Sequence, residues 1–347
     1  METEVNPTYV TIDRDGDLIL LVGPEESQQT RILVSSKALT LASKVFKAML
    51  SKSTFKEGRE LVESAANSTL YEIPLPDDDI AAMIILCKLV HHRYRNIDLS
   101  KVTIQHLSDI AVLAYKYDSV DAVRSTSSWL QRFDEYKNAA KLLKISFLLD
   151  HAEVFKSSSH TILCGSSRDI LFGSSKDAKA MREEIDPDDQ MPKRIFVQLE
   201  KRRNDGMNLI SPAIEKRRKK MWTDTSQLSN THGESNDTRT VFPSFSKHDA
   251  EQVRTLVEYL ELASVWSMGK PPPPASLEVI LTLLKGLSNA SADLGREIAR
   301  RSYCQTCTHR FPVIFDEIYK ELFAATEGLC LDCVKQNGKA AYCRVKH

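Results

Sequence analysis

Cysteine is the residue type in this sequence whose spacing most clearly indicates chemistry. Seven cysteines occur among 347 residues, and five of them follow residue 300. Cys304 with Cys307 and Cys330 with Cys333 form two Cys-x-x-Cys pairs, a spacing that usually indicates metal binding in a reducing compartment. Since disulfides are rare in such compartments, the sequence predicts one structural zinc ion rather than a disulfide framework.

The preferred ligand set lies within the last 18 residues. Cys330 and Cys333 are followed by Cys343 and His347, in the order Cys-x2-Cys-x9-Cys-x3-His. The intervening Asn337-Gly338 is a turn signal that can bring the two halves of the set together. This spacing is typical of finger-like zinc sites.

The alternative ligand set uses Cys304 and Cys307 in place of Cys343 and His347. The residues between the two pairs, Pro312 to about Ala325, have the pattern of one uninterrupted helix, roughly 20 Å long. That helix would hold the pairs at opposite ends, whereas each zinc–sulfur bond spans only about 2.3 Å. The four-thiolate set therefore needs a broken helix. A third interpretation treats these cysteines as buried thiols and His347 as a frayed terminus.

Enzyme signatures are missing from the sequence. It contains no Gly-x-x-x-x-Gly-Lys loop, no Gly-x-Ser-x-Gly elbow, no His-Glu-x-x-His and no paired dinucleotide glycines. His91 and His92 are adjacent at the end of an apolar helical pattern, where neighbouring side chains point about 100° apart. That arrangement is poorly suited to one shared ligand. We expect a non-catalytic protein.

The overall charge is balanced, with 47 basic and 47 acidic residues. This balance gives no general attraction to nucleic acid or to an anionic membrane. No run approaches the roughly 18 apolar residues of a transmembrane helix. Residues 1–11 carry two glutamates and no apolar core, unlike a secretory signal. We expect an intracellular protein of the nucleus, the cytoplasm or both, without membrane contact.

Two basic clusters interrupt this balance. They are Lys201-Arg202-Arg203 and Lys216-Arg217-Arg218-Lys219-Lys220, separated by twelve residues. On an extended peptide this spacing fits a bipartite nuclear import signal. The alternative is a solvated surface. Aromatic residues are not interleaved with the clusters, which argues against a platform for nucleic acid.

Strand signals precede helical signals, which predicts an α+β fold. Leu18–Val22 and Thr30–Val34 have the pattern of a hairpin, and Leu70–Leu75 that of a third strand. Helical spacing follows Ser35 or Ser36 as N-cap, and Asp77-Asp78-Asp79 opens an apolar helix that we expect to be buried.

The composition suggests four parts of the chain. Residues 8–135 form the α+β domain and 136–222 a helical extension, in which 157–190 are a loop or poorly ordered insertion and Ile195–Arg203 a short helix. Residues 223–246 are a polar linker. Residues 247–347 form a helical region with the cysteine-rich tail.

Six ordered blocks within the first 130 residues carry a family resemblance. They are Asp15-Gly16-Asp17-Leu18, Leu33-Val34-Ser35-Ser36, residues 41–50, Phe55-Lys56-Glu57-Gly58, residues 75–79 and residues 114–118. Together they resemble the BTB/POZ domains abundant in filamentous fungi. Only about a dozen residues precede Asp13, too few for the N-terminal strand and helix that many animal members exchange between protomers. The resemblance is to the short form of the fold, and self-association stays an open alternative.

The resemblance implies a protein–protein interaction adaptor or scaffold. Phe55 and Glu57 resemble the hydrophobic-x-Glu element with which some family members bind a cullin scaffold. The alternative is that Phe55 packs on the hairpin and Glu57 is solvated. Two other functions stay open: a substrate receptor of a cullin-type ubiquitin ligase, and a nuclear DNA-associated transcription regulator acting through residues 216–220.

Overall fold

The computed structural model describes residues 8–24, 29–52, 55–133, 135–165, 182–183, 185–228, 277–282, 284–286 and 310–346. The strands are β1 (Thr8–Thr11), β2 (Leu18–Val22), β3 (Thr30–Val34) and β4 (Tyr71–Leu75). The first helices are α1 (Ser36–Ala42), α2 (Lys44–Met49), α3 (Lys56–Ala66), α4 (Ile80–Val90), α5 (Ile104–Lys116), α6 (Val120–Val123) and α7 (Ser127–Leu130). They are followed by α8 (Glu135–Leu148), α9 (Ala152–Gly165), α10 (Lys193–Leu228), α11 (Arg310–Ala325) and α12 (Leu331–Lys335).

The four strands form one mixed sheet in the order β1-β3-β2-β4. β2 and β3 pair antiparallel, which confirms the predicted hairpin, while β4 runs parallel to β2. β1 pairs parallel with β3 and was not predicted. Its four residues are mostly exposed, so its sequence lacks the apolar run by which a buried strand is recognised. The combination of this sheet with the helices confirms the α+β class.

Carboxylates accept hydrogen bonds from backbone N–H groups at the starts of α4 and α1. Asp79 caps α4 by accepting a hydrogen bond from the backbone N–H of Ala82 at 2.8 Å, as the acidic run predicts. At α1, Ser35 occupies the N-cap position without a side-chain cap bond. Asp17 instead accepts hydrogen bonds from the Ser36 backbone N–H at 2.7 Å and its hydroxyl at 2.6 Å.

Helix α4 packs on α5, and α5 in turn packs on α8. As expected from its apolar circumference, α4 buries Ala82, Met83, Leu86, Cys87, Leu89 and Val90. Because α8 begins at Glu135, the packed helices continue beyond the limit at residue 135 that the sequence suggests.

The chain divides into two compact units. One comprises residues 1–158 together with 330–346, and the other comprises 159–329 with 347. The cysteine-bearing C-terminal segment therefore belongs to the same unit as the sheet. This division differs from the four consecutive parts inferred from composition.

Helix extends further along the middle of the chain than the sequence suggests. Residues 157–165, expected in a loop, are helical in α9, and the short helix expected at Ile195–Arg203 is part of the 36-residue α10. Residues 223–228, assigned to the linker, are the last six of α10, while 229–246 lie outside the described residues. Across the described ranges, no helix combines the length and apolarity needed to cross a membrane.

His91 joins the end of α4 to the start of α1. Its Nε2 accepts a hydrogen bond from the Ser35 backbone N–H at 3.0 Å, and Nδ1 lies 2.7 Å from the carbonyl oxygen of Cys87. Since a carbonyl only accepts, Nδ1 carries the proton and the ring is neutral. Burial lowers the pKa of His91 from its ordinary 6.5. Both ring nitrogens thus serve the fold.

We expect this histidine to make the protein less stable in mild acid. Its neutral form is favoured in the fold, so its contribution is complete above about pH 6.5 and is lost as pH falls through the lower folded pKa. Urea unfolding at pH 7.5 and 5.5 should show a larger fall in the free energy of unfolding for the wild type than for His91→Gln. Equal falls in the two proteins would contradict this assignment.

Candidate functional site

Three cysteines meet at the C-terminal end of the chain. Cys330 occupies the N-cap position of α12, and Cys333 lies within that helix. Asn337 has a φ of 56°, a left-handed conformation that ends the helix, and Gly338 N–H donates to the Cys333 carbonyl at 3.0 Å. The chain then turns back and brings Cys343 to the pair. The predicted Asn337-Gly338 turn therefore has the expected effect.

The geometry of these thiols suits a tetrahedral metal ion. The sulfur atoms of Cys330, Cys333 and Cys343 all lie within 4.8 Å of one another, and Cys333 and Cys343 are 3.6 Å apart. A tetrahedral zinc ion with bonds of about 2.3 Å separates its sulfur ligands by about 3.8 Å. Three thiols within 4.8 Å of one another are the donor type that zinc and other soft or borderline cations prefer.

The pKa values of Cys333 and Cys343 shift in opposite directions. The Ala340 backbone N–H donates to the Cys333 sulfur at 3.4 Å, and this bond is the main cause that lowers the pKa of Cys333. Burial raises the pKa of Cys343 to about 12, and hydrogen bonds with Cys333 and Cys330 act in the same direction. Since adjacent thiolates repel, a nearby cation would favour ionisation of Cys333 and Cys343 together.

The remaining predicted ligands lie outside the described residues. These are His347 of the preferred set and Cys304 and Cys307 of the alternative. The structure thus brings together three of the four preferred ligands. The uninterrupted helix that argues against the four-thiolate set is confirmed as α11, which starts at Arg310, two residues earlier than predicted.

The second predicted site lies at the start of α3. Phe55 holds the N-cap position with 48% of its surface exposed, and Glu57 follows in the first turn, half-buried. Gly58 is buried, and a Cβ placed there would meet the Ser51 carbonyl oxygen at 2.2 Å. Only glycine therefore allows this close approach of backbones at the start of α3. About half of the Phe55 surface is accessible to solvent.

The basic clusters both lie on α10, so the premise that they occupy an extended peptide is wrong. Arg203 is buried, and Arg202 donates to the carbonyl oxygens of Glu327 and Gly328 at 2.5 and 3.1 Å. In the second cluster, Lys216 and Lys219 are exposed. Nuclear import through these residues stays a prediction, and it would require the helix to unwind.

The charged residues around the cysteines were not predicted from the sequence. Asp332 precedes Cys333 and Arg344 follows Cys343, and their side chains form an ion pair at 2.7 Å. Arg344 also pairs with Asp150 at 2.7 Å. The sequence does contain a signal for the pair of Asp332 and Arg344, because residues of opposite charge stand next to two predicted ligands. Asp150, 194 residues before Arg344, has no comparable signal.

Comparison with known proteins adds no family to this description. The chain matches no protein-family model and no curated protein. The BTB/POZ resemblance stays a prediction from the sequence blocks alone.

Proposed function

We propose that this chain is a non-catalytic protein–protein interaction adaptor in which residues 8–135 form a BTB/POZ-like module. The observation that carries the proposal is the partly exposed side chain of Phe55 beside Glu57 at the start of α3. Large aromatic side chains that fill a partner's pocket often dominate binding energy. The small sheet followed by helices is the architecture that the resemblance implies, and it supports the same function.

Helix α3 also carries an exposed apolar side chain, since Val62 is 38% exposed. Lys56 and Glu60 form an ion pair at 3.3 Å, and Glu60 accepts a hydrogen bond from the Tyr71 hydroxyl at 2.7 Å. This bond ties α3 to β4. The aromatic anchor and its polar surroundings are therefore held in place before a partner arrives, which reduces the entropy lost on binding.

A cullin scaffold is the more specific partner favoured by this geometry. The hydrophobic-x-Glu element of the resemblance maps onto Phe55 and Glu57, and the exposed ring is the feature that such binding requires. We infer that the adaptor acts as a substrate receptor if this partner binds directly.

Replacing Phe55 by alanine should weaken partner binding at least about tenfold, because a central aromatic anchor commonly contributes more than about 1.4 kcal/mol. Proximity labelling with the full chain should lose a defined set of proteins in Phe55→Ala. Tyr9→Ala is the matched control, since Tyr9 is 51% exposed on β1, at the opposite edge of the sheet from β4. Equal loss in both variants, or loss in neither, would contradict the proposed surface.

Purified cullin distinguishes the specific partner from the general function. Calorimetric titration should show binding to the wild type that Phe55→Ala and Glu57→Ala weaken and Tyr9→Ala leaves unchanged. If purified cullin does not bind while Phe55-dependent labelling persists, the adaptor function stands and the ubiquitin-ligase function is rejected.

We also propose that the cysteine cluster holds one zinc ion, bound by Cys330, Cys333, Cys343 and His347. Bound there, the ion would supply a cross-link that holds the chain after α12 against that helix. Structural zinc sites with four protein ligands stabilise small segments that bury little apolar surface. The segment 330–346 is of this kind, since among its residues only Cys330, Leu331, Val334 and Ala340 are buried.

A further inference from the structure

A charged network surrounds the three cysteines and joins them to the body of the first unit. It consists of Arg344, Asp332, Asp150 and Lys335, all within the unit that contains residues 1–158 and 330–346. Every contact in this network links residues far apart in the chain or on opposite sides of the turn after α12.

Arg344 connects the two halves of the cysteine cluster. Its backbone N–H donates to Asp332 Oδ2 at 2.8 Å, and its Nε donates to Oδ1 at 2.9 Å. Asp332 directly precedes Cys333, and Arg344 directly follows Cys343. The pair therefore fixes the backbone on both sides of the 3.6 Å contact between the two sulfur atoms.

Asp150 connects the same arginine to the turn between α8 and α9. Its carboxylate accepts hydrogen bonds from Arg344 Nη1 at 2.7 Å and Nη2 at 3.0 Å, and its carbonyl oxygen accepts from Nη1 at 3.0 Å. Lys335, at the end of α12, donates to the same carboxylate at 2.5 Å and lies over the Phe147 ring at 5.5 Å. The Asp150 carboxylate thus pairs with two cations: Lys335, two residues after Cys333, and Arg344, directly after Cys343.

The backbone at Asp150 is built for this position. Asp150 has a φ of 58°, and the Asp150 and His151 N–H groups donate to the carbonyl oxygens of Phe147 and Ser146 at 3.4 and 2.8 Å. This left-handed residue ends α8 and turns its carboxylate toward the C-terminal segment. Aspartate tolerates the conformation better than most residues.

We propose that Arg344, Asp332 and Asp150 form a metal-linked clasp, in which metal binding by the three cysteines and docking of residues 330–346 on the α8–α9 turn are one coupled event. The inference rests on the metal site of the proposed function. Asp150, Asp332 and Arg344 are positioning residues rather than ligands. By linkage, a contact that orders the ligands raises metal affinity, and a bound metal stabilises that contact equally.

The clasp also reaches the surface of the first unit. Asp150 and Lys335 line an open cavity of about 1380 Å³, together with the exposed side chains of Leu41 and Tyr115. Release of the segment would remove Lys335 from this lining. Metal occupancy therefore controls the shape of a surface cavity as well as the C-terminal segment itself.

The test measures zinc affinity of the full-length protein by competition with a chromophoric chelator. Removal of residues that orient ligands typically weakens metal binding by about 10–100-fold, so we expect Asp150→Asn and Arg344→Gln to weaken zinc binding about tenfold. Asp121→Asn is the matched control, since Asp121 pairs with Arg124 at 2.8 Å on the same unit but is 91% exposed. Its affinity should equal that of the wild type.

Hydrogen exchange provides a measurement that needs no substitution. Removing zinc from the wild type with a chelator should speed exchange at the His151 amide and across residues 330–346, while β2 stays protected. A wild type that binds no zinc overturns the metal site and the clasp together. Stoichiometric zinc with unchanged affinity in Asp150→Asn and unchanged exchange at His151 overturns the clasp alone and leaves the metal site standing.

Discussion

Replacing Cys343 by serine is expected to remove stoichiometric zinc from the purified full-length protein. Its sulfur lies 3.6 Å from that of Cys333, at the separation of two ligands on one tetrahedral ion. A neutral serine hydroxyl replaces a thiolate poorly for a borderline-soft cation. Loss of a residue that only orients a metal ligand already weakens metal binding by about 10–100-fold, so loss of a direct ligand should have the larger effect. Elemental analysis gives the zinc content directly.

A buried cysteine elsewhere in the chain provides the control. Burial raises the pKa of Cys164 to about 11, so it stays a neutral thiol, and it lies outside the three-cysteine cluster. Cys164→Ser should retain full zinc content. Absence of stoichiometric zinc in the wild type, or equal content in wild type and Cys343→Ser, would reject the site.

The fourth ligand is decided by two further variants. Loss of zinc in His347→Gln with retention in Cys304→Ser supports the Cys3His set. The reverse pattern supports a site that includes the first Cys-x-x-Cys pair. Retention in both would leave the three described cysteines sufficient with a non-protein fourth ligand.

The three cysteines could be predicted because the information is local. Cys330, Cys333 and Cys343 lie within 14 residues, and Asn337-Gly338 is a turn signal between them. Asp150 could not be predicted in the same way. Its partners Lys335 and Arg344 follow it by 185 and 194 residues, and only the packing of the first unit brings them together.

Contacts between distant residues also explain why the predicted bounds of two helices were wrong. Ser157, Ser158 and Ser159 lower the intrinsic helix propensity of α9, yet Ser158 and Ser159 are fully buried and Ser159 Oγ accepts the Leu329 N–H at 2.7 Å. Tertiary contacts outweigh propensity there. In α10, Gly206 and Pro212 have low helix propensity, but a Cβ at Gly206 would approach the Thr326 methyl to 2.6 Å. The glycine serves close packing rather than helix termination.

Three consecutive aspartates predict where a helix starts but not the environment of each side chain. Asp77-Asp78-Asp79 predicts a helix start, and Asp79 is the cap. Asp77 is exposed, whereas the Asp78 side chain is only 1% exposed. Neighbours of identical type thus have three different environments, which the sequence does not distinguish. The buried one is the most consequential for stability.

Asp78→Ala is expected to lower the free energy of unfolding by about 3 kcal/mol, because it breaks a buried and hydrogen-bonded ion pair. Asp78 accepts hydrogen bonds from the Tyr117 hydroxyl at 2.5 Å and from Lys116 Nζ at 2.6 Å. Burial and the bond to Asp78 raise the pKa of Tyr117, so its hydroxyl stays protonated and donates. Lys116 is partly exposed and can turn to water, which keeps the cost below that of a fully buried charge.

The Tyr117 ring extends this contact into the core. It stacks on Phe46 with ring centroids 4.5 Å apart, so α2, α5 and the start of α4 share one cluster.

Tyr117→Phe keeps the stacking and removes only the hydroxyl, and it should lower the free energy of unfolding by about 1–2 kcal/mol. If the hydroxyl acts through Asp78, the double variant is less destabilised than the sum of the two single variants, by about 1 kcal/mol. Urea unfolding measures the wild type, the two single variants and the double variant. The control, exposed Asp121→Asn, is expected to change stability by less than about 0.5 kcal/mol. A cost for Asp78→Ala no larger than that of Asp121→Asn, or strict additivity with Tyr117→Phe, would show that the buried carboxylate does not hold this cluster together.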